Sequence, residues 1–237
     1  MPSRTLLMTL AGPMQSWGTA GRFARRTTDL APSKSGVIGL LAAAKGIRRT
    51  EPEALAELAK LRFGVRIDQP GSLLRDYQTS HSLDEPHRDG TVAERFYLED
   101  AVFLAAVEGQ DDVIDDLAEA LRRPYFQLFL GRRSCPPSQQ VLLASVSEPL
   151  EKALKGRPWA ASKHHRRGRE TSVKLWMLCD AQPDERSDTV QDVPLSFDPR
   201  YRRYGWRQVH RVSVEVANPD ADKPRHDPFA LFDELEG

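Results

Sequence analysis

The residues best suited to chemistry in this sequence are arginines that stand beside glycine or aromatic residues. Gly131-Arg132-Arg133-Ser134 is the sharpest case, because a glycine lets the backbone turn tightly while two guanidinium groups face one anion. Arg22–Arg26 (RFARR) interleaves an aromatic ring with three arginines, which suits phosphates and base faces. These residues predict binding of a polyanion. Pairing of Arg132 or Arg133 with the protein's own carboxylates is the alternative.

A second candidate anion site opens the segment Pro32–Ile47 (PSKSGVIGLLAAAKGI). The apolar spacing predicts a helix capped by Ser33 or Ser35, and Lys34 stands at the positive end of its dipole. Gly36 weakens such a helix, so we expect a close approach there of either packed protein or a ligand. A well-capped core helix without a ligand is the simpler interpretation of the same residues.

The remaining reactive residues give little support for catalysis. The six histidines and two cysteines form no metal-binding spacing, so we predict no metal site and no cofactor. Cys135, followed by two prolines, is expected to be structural. Tyrosine, lysine and histidine could support metal-free RNA cleavage, but their spacing along the chain does not assemble such a site, so the sequence gives this alternative little support.

Composition places the chain among soluble proteins without a membrane segment. It has 237 residues and only two cysteines, Cys135 and Cys179, so a reducing cytoplasm is the simplest setting. The net charge is zero, but charges of one sign cluster along the chain: residues 1–50 have a net charge of +7, residues 51–120 of −11 and residues 121–170 of +8. Such blocks indicate surfaces for different partners, one of them polyanionic, unless folding interleaves them.

Hydrophobic periodicity predicts the elements that position these residues. The predicted strands are Arg4–Leu10, Phe63–Ile67, Leu73–Thr79, Phe96–Val107 and Tyr125–Leu130, and the predicted helices lie in Pro32–Ile47, Glu51–Leu61 and Asp111–Arg123. A polar arm, Ser80–Glu94, lies between two strands. The order β–α–β–(arm)–β–α–β favours an α+β fold of the ferredoxin-like type, which RNA-recognition modules share.

The C-terminal part is less regular. It has a predicted helix at Pro149–Lys155, strands at Ser172–Cys179 and Val209–Val216, and an arginine-aromatic run at Phe197–Arg211. We therefore divide the chain into a palm, residues 1–147 with the arm at about 80–94, and a C-terminal extension, residues 148–237, of short helix and strands packed on the palm. The acidic tail near Phe229–Phe232 is a possible docking segment.

Five segments together resemble the CasD subunits of type I-E CRISPR Cascade complexes, members of the RAMP superfamily. They are Leu10–Gly18 (LAGPMQSWG), Arg26-Thr27 with Pro32–Arg49, Arg75–Thr79 (RDYQT), Phe96–Phe103 (FYLEDAVF) and Phe129–Pro136 (FLGRRSCP). They occur in the family's order and cover about the first 136 residues.

The resemblance implies a modified ferredoxin-like palm with a protruding β-hairpin thumb and additional C-terminal β elements. It implies a non-catalytic subunit that binds the 5′ handle of crRNA, caps one end of Cascade and contacts the backbone subunit CasC and the large subunit CasA. Target DNA would be met only through the complex. Relatives in type I-C systems cleave precursor RNA, so an endoribonuclease is the alternative. A scaffold that contacts only protein is the second alternative.

Specific RNA-binding residues follow from combining the resemblance with the residue chemistry. Phosphates are assigned to Arg26, Lys34, Arg75, Arg132 and Arg133, and base stacking to Trp17 and Tyr77. Hydrogen bonds to the handle are assigned to Gln15, Thr27, Ser33, Ser35, Gln78 and Ser134 and to backbone groups near Gly36 and Gly131.

Overall fold

The computed structural model describes residues 3–19, 25–80 and 91–221, over which the chain forms eleven strands and five helices. The strands are β1 (Ser3–Ala11), β2 (Met14–Gln15), β3 (Arg25–Arg26), β4 (Arg62–Gln69), β5 (Ser72–Ser80), β6 (Thr91–Glu99), β7 (Val102–Gln110), β8 (Leu142–Val146), β9 (Ser172–Asp180), β10 (Asp188–Ser196) and β11 (Arg203–Ala217). The helices are α1 (Lys34–Lys45), α2 (Pro52–Ala59), α3 (Asp111–Arg122), α4 (Leu150–Lys155) and α5 (Lys163–Arg166). None of these helices is both long and apolar enough to cross a membrane.

Four strands of the main sheet form a ferredoxin-like plait. Their spatial order is β4-β7-β1-β8, and each neighbouring pair is antiparallel. Helix α1 lies between β1 and β4 in the sequence, and α3 lies between β7 and β8. This is the connectivity of the ferredoxin-like fold. The predicted α+β fold with a ferredoxin-like palm is confirmed.

The side chains of β1 show how the sheet is covered on both faces. Leu6, Met8 and Leu10 are fully buried in a core that includes the apolar faces of α1, α2 and α3. Leu7 points the other way and packs with Leu150 of α4. Because successive side chains of a strand point to opposite faces, the buried residues of one strand supply two cores.

The segment predicted as one strand, Phe96–Val107, is two strands in different sheets. Strand β6 ends at Glu99 and β7 begins at Val102. Between them Asp100 has φ 54°, a left-handed conformation that breaks the strand, and its amide donates to the Pro13 carbonyl at 3.2 Å. The periodicity was continuous through this corner, so the prediction of a single strand is wrong.

The prediction of a strand at Tyr125–Leu130 is also wrong. The Tyr125 and Phe126 amides donate to the carbonyls of Ala44 and Ala43, at 2.9 and 3.1 Å, so this stretch satisfies the end of α1 instead of joining the sheet. Strand β8, which begins at Leu142, fills the fourth position of the plait. The stretch has the aromatic, apolar composition of a strand, but the strand of the plait is the segment that follows it in the sequence.

Strands β5 and β6 form a long antiparallel hairpin in a second sheet. Their register runs from Ser72 opposite Glu99 to Ser80 opposite Thr91. Strand β3 pairs in parallel with β6, which places Arg26 beside Arg95. The predicted arm, Ser80–Glu94, overlaps β5 at Ser80 and β6 at Thr91–Glu94, and its residues 81–90 lie outside the described residues. The hairpin corresponds to the thumb expected from the family resemblance.

Three C-terminal strands continue the main sheet beyond β4. The full order is β10-β11-β9-β4-β7-β1-β8, with β4 and β9 antiparallel. The predicted strands at Ser172–Cys179 and Val209–Val216 are confirmed as β9 and part of β11. Strand β10 was not predicted. The division of the chain at residue 147 stays a prediction, and the tail near Phe229–Phe232 lies outside the described residues.

Candidate nucleic-acid interface

The loop Gly131–Ser134 is held in a tight turn that presents two arginines. Gly131 has φ 88°, and a Cβ there would overlap the Ser16 carbonyl, so only glycine fits. The Leu130 amide donates to the Cys135 carbonyl at 2.7 Å, and the Cys135 amide donates to the Arg132 carbonyl at 2.9 Å. These bonds fix the loop from its base, as the sequence suggested.

Arg132 lies across the base of the loop and joins three segments. Its Nη2 donates to the Arg26 carbonyl at 3.0 Å, and its guanidinium carbon is 5.0 Å from the centre of the Tyr97 ring. Its Nη1 is buried and has no hydrogen-bond acceptor among the described residues. The guanidinium is thus positioned by protein while keeping capacity for a further acceptor.

These segments enclose a cleft of about 720 Å³, called here the arginine cleft. The residues that line it are Ser16, Gly18, Arg26, Thr27, Arg49, Arg95, Gly131, Arg132, Arg133, Ser134 and Arg202. Six of them are arginines, and no aspartate or glutamate is found among the described residues of the lining. Because arginine stays protonated at any ordinary pH, the cleft carries a high density of positive charge that does not depend on pH.

The structure brings six of the predicted RNA-binding residues together in the arginine cleft, and it adds three arginines that were not predicted. The predicted members are Arg26, Thr27, Gly131, Arg132, Arg133 and Ser134. Arg49 arrives from the segment after α1, Arg95 from β6 and Arg202 from the turn before β11. The Arg48-Arg49 pair and the arginine-aromatic run were visible in the sequence, but only the tertiary fold shows that they meet.

The predicted anion site at the start of α1 is closed by the protein's own carboxylates. The Lys34 amide donates to Asp192 Oδ2 at 2.7 Å, and Lys34 Nζ donates to Asp180 Oδ2 at 2.9 Å. Ser33 caps the helix by accepting from the Gly36 amide at 3.2 Å, and its Oγ is 3.3 Å from that of Ser35. The assignments of Ser33, Lys34 and Ser35 to RNA are corrected, since protein groups occupy this helix end.

Arg207 completes the ion network around Lys34. Its Nε and Nη2 donate to Asp192 at 2.6 and 2.9 Å, and its Nη1 donates to Asp180 at 2.7 Å. Burial alone would lower the pKa of Arg207, but the two carboxylates outweigh it and hold the pKa above its usual value. We call Lys34, Asp180, Asp192 and Arg207 the buried ion network.

Gln15 and Trp17 are core residues, which contradicts their assignment to RNA. Trp17 is only 1% exposed, so it offers no stacking face, and its Nε1 donates to Gln15 Oε1 at 3.0 Å. Gln15 in turn donates to the carbonyls of Leu10 and Ala101 at 3.1 and 2.7 Å. A Cβ on Gly36 would lie 2.8 Å from the Trp17 ring, so this glycine serves packing.

Arg75 and Tyr77 lie on the hairpin and are not brought into the arginine cleft. Tyr77 is 61% exposed and its ring centre is 6.0 Å from the Arg75 guanidinium carbon, while Arg75 pairs with Glu94. Because side chains alternate along a strand, Arg75 and Tyr77 point to one side of the sheet and Arg95 points to the other. Gln78 is exposed on the other face of β5. Arg75 and Tyr77 therefore form an exposed pair outside the arginine cleft, and Gln78 is not part of that pair.

The described residues contain no cluster suited to holding a metal ion, and the cysteines are poor nucleophiles. Burial raises the pKa of the Cys135 thiol, and burial together with nearby carboxylates raises the pKa of Cys179 to about 12. Both thiols therefore stay protonated near neutral pH.

The ferredoxin-like palm, the β-hairpin and the glycine-containing arginine loop together define a protein of the RAMP type. The chain belongs to the Cas5 family of CRISPR-associated proteins, whose family profile matches residues 5–210. CRISPR system Cascade subunit CasD of Escherichia coli (strain K12) is 34% identical over 172 residues, which cover 65% of this chain and 77% of that protein. The resemblance to CasD subunits is confirmed.

Solved structures agree with the assignment to this family. A chain of a structure described as a CRISPR RNA-guided surveillance complex superimposes with a TM-score of 0.74 at 32% identity, covering 98% of this chain and 100% of that one. A crystal structure of a Cas protein gives a TM-score of 0.69 at 36% identity, covering 93% of this chain and 98% of that one.

Proposed function

We propose that this protein is a non-catalytic subunit of a type I-E CRISPR Cascade complex and binds the 5′ handle of crRNA in the arginine cleft. The similarity to a Cascade subunit and to a chain of an RNA-guided surveillance complex supports membership of such an assembly. The cleft supports RNA as the ligand. In this proposal the subunit caps one end of the complex in the cytoplasm, without contact with membranes.

The observation that carries the proposal is the set of six arginines without a carboxylate among the described residues of the cleft. Guanidinium groups bind phosphate oxygens in a bidentate manner, and no carboxylate among the described lining residues competes for these arginines. If all six arginines each meet one phosphate of a single strand, the logarithm of affinity should fall with the logarithm of salt with a slope of about −4.

The proposed RNA contacts are the residues of the cleft, with the hairpin as a second contact region. Arg26, Arg49, Arg95, Arg132, Arg133 and Arg202 neutralise phosphates, and the hydroxyls of Thr27 and Ser134 donate hydrogen bonds. The Gly131 amide already donates to the Phe129 carbonyl at 3.0 Å, so Gly131 contributes the shape of the loop and not a donor. On the hairpin, exposed Tyr77 offers a stacking face, and Arg75 and Gln78 offer polar contacts.

The lining of the cleft supports binding without catalysis. Metal-free RNA cleavage requires a general acid and base, most often histidine or a carboxylate. None of the described lining residues is His, Lys, Asp or Glu. Arginine stabilises charge but stays protonated, so it is a poor proton acceptor.

The proposed protein partners are the Cascade backbone subunit CasC and the large subunit CasA. Their assignment rests on the resemblance to CasD. Target DNA would be reached only through the assembled complex.

The test is binding of the purified full chain to labelled crRNA with its 5′ handle, with a scrambled-handle RNA as control and no divalent metal. Native gels report binding and denaturing gels report cleavage. Arg132→Glu/Arg133→Glu should weaken handle binding by about 100-fold or more. The matched control is Arg122→Glu/Arg123→Glu at the end of α3, outside the cleft, which should leave binding within about threefold.

The possible results separate the three functions. Preferential binding of the true handle, with intact RNA, supports the proposal. Intact RNA without binding, both by the free chain and when it is assembled with its partner subunits, supports a protein-only scaffold. Cleavage at the handle boundary would show an endoribonuclease and overturn the non-catalytic assignment.

A further inference from the structure

The arginine-aromatic run Phe197–Arg211 is only partly used by the features described so far. Arg202 lines the arginine cleft, and Arg207 belongs to the buried ion network. The residues between Ser196 and Arg203 connect β10 to β11, whose paired ends place Ser196 opposite Arg203 and Pro194 opposite Tyr204. The connecting turn therefore projects from the end of a paired hairpin.

This turn lines a second cleft of about 680 Å³, called here the tyrosine cleft. The residues that line it are Gly18, Thr19, Gln191, Leu195, Arg200, Tyr201, Arg202, Arg203 and Tyr204. Gly18 and Arg202 also line the arginine cleft, so the two clefts adjoin. A ligand that fills the first would meet the second at these two residues.

The side chains of the tyrosine cleft suit a nucleotide. Tyr201 is 65% exposed, and the Arg203 guanidinium carbon lies 4.9 Å from its ring centre. A cation beside an exposed aromatic ring is the combination that single-strand-binding proteins use to stack bases and neutralise phosphates. By contrast, Arg200 donates to Asp198 at 2.9 and 3.2 Å and is already paired.

We propose that the tyrosine cleft binds the next one or two nucleotides of the RNA that occupies the arginine cleft. A base stacks on Tyr201. The phosphate between the two clefts lies against Arg202, and the following phosphate lies near Arg203. This inference rests on the proposed function, because it continues the same RNA. Continuity of the two clefts and their matching positive charge favour RNA over a protein partner at this surface.

The test is a truncation series of the handle RNA, shortened one nucleotide at a time from either end and bound to the full chain. Tyr201→Ala should weaken binding of the full handle by about tenfold, the loss expected for one stacked base. Tyr201→Phe keeps the ring and should bind like the wild type. Once truncation removes the stacked nucleotide, wild type and Tyr201→Ala should have equal affinity, which identifies that nucleotide.

Arg203→Ala should weaken binding in the same length-dependent way and reduce the salt slope by about 0.7. Its matched control is Arg211→Ala, an exposed arginine on the same strand that does not line either cleft. Circular dichroism melting of each variant checks the fold, which the exposure of Tyr201 should leave unchanged.

The outcomes distinguish this inference from the proposed function. If Tyr201→Ala binds every RNA like the wild type while Arg133→Glu weakens binding, the tyrosine cleft is not an RNA site and the proposed function stands. If neither variant changes binding, both fail. Equal losses for Tyr201→Ala and Tyr201→Phe would overturn stacking. Normal RNA binding with loss of assembly with partner subunits would make this cleft a protein-docking surface.

Discussion

Two cationic groups in this protein have opposite electrostatic surroundings. In the buried ion network, Lys34 and Arg207 face Asp180 and Asp192, and all four side chains are at most 17% exposed. In the arginine cleft, six guanidinium groups lie around one cavity whose described lining contains no carboxylate. The first group satisfies its charges internally, whereas no carboxylate among the described lining residues neutralises the second, which we propose binds RNA.

The difference shows that position, not residue type, decides the role of a cation. Charges taken out of water must be paired, because an isolated buried charge is very costly. Cations at an open cleft remain partly hydrated and tolerate one another until an anion arrives. The two regions should therefore respond oppositely to mutation: the ion network in stability, and the cleft in RNA affinity.

The largest effect is expected for Asp192→Ala. The Asp192 side chain is 2% exposed and accepts bonds from Arg207 and from the Lys34 amide. Its removal leaves a buried guanidinium with one fewer partner, which should lower the free energy of unfolding by about 3–5 kcal/mol. Urea unfolding followed by circular dichroism measures the loss, and Asp192→Asn provides a milder variant if Asp192→Ala does not fold.

The control for Asp192 is Glu119→Ala, which removes an exposed ion pair with Arg122 at the end of α3. Its cost should be at most about 1 kcal/mol. Similar losses for Asp192→Ala and Glu119→Ala would show that the ion network is not a structural element.

A smaller loss of stability is expected for Lys34→Met. Asp180 loses one partner but keeps Arg207 Nη1 at 2.7 Å and the Phe63 amide at 2.9 Å. The free energy of unfolding should fall by about 1–3 kcal/mol. The slope of RNA affinity against salt should stay unchanged. A decrease of about 0.7 in that slope would instead show that Lys34 contacts a phosphate.

The sequence was sufficient where the structural signal was local. Helical spacing and the Ser33 cap predicted α1, and the glycine-arginine loop predicted part of the cleft. The sequence-based prediction was wrong for Lys34 because its partners are distant in the chain. Asp192 is 158 residues from Lys34, and Asp180 is 146 residues from it. No pattern near Lys34 distinguishes a phosphate-binding lysine from one paired with a carboxylate that the fold brings in.

The same reason explains the residues of the site that were missed or misassigned. Arg95 belongs to the cleft because β3 and β6 pair in parallel, and sequence spacing does not reveal that pairing. Trp17 stands among polar and glycine residues, which suggested exposure, yet it packs against Gly36 in the core. Burial of a single aromatic residue in an irregular segment depends on contacts from elsewhere in the chain.

Arg133→Ala tests the cleft at an arginine whose side chain has no described structural contact. Arg133 is exposed, and no hydrogen bond or ion pair joins its side chain to the described residues. The free energy of unfolding should change by no more than about 0.5 kcal/mol. The salt slope of RNA binding should fall by about 0.7, measured by fluorescence anisotropy. Arg123→Ala is the control, and an equal change in its slope would mean that the effect is not specific to the cleft.

The smallest expected effect is that of pH on RNA affinity. None of the described residues lining the arginine cleft is a histidine, lysine, aspartate or glutamate, and arginine as a residue type does not titrate near neutral pH. Affinity at constant ionic strength should therefore stay constant from about pH 5.5 to about pH 8.5. A fall through the histidine range near pH 6.5 would show that a histidine takes part, and would favour the ribonuclease alternative.

The folding stability of the protein should decrease at acid pH, although its RNA affinity should not depend on pH near neutrality. Burial alone would raise the pKa of Glu151, but the hydrogen bond and charge of Arg62 outweigh it and lower the pKa below its usual value. A carboxylate with a lowered pKa stabilises the fold above its unfolded pKa of about 4.3, and this contribution is lost as the pH falls through the folded value. Thermal melting at about pH 7 and about pH 4 should show this loss, and Glu151→Gln should reduce it. Because the arginines of the cleft stay charged throughout, acid should unfold the protein before it neutralises the proposed RNA site.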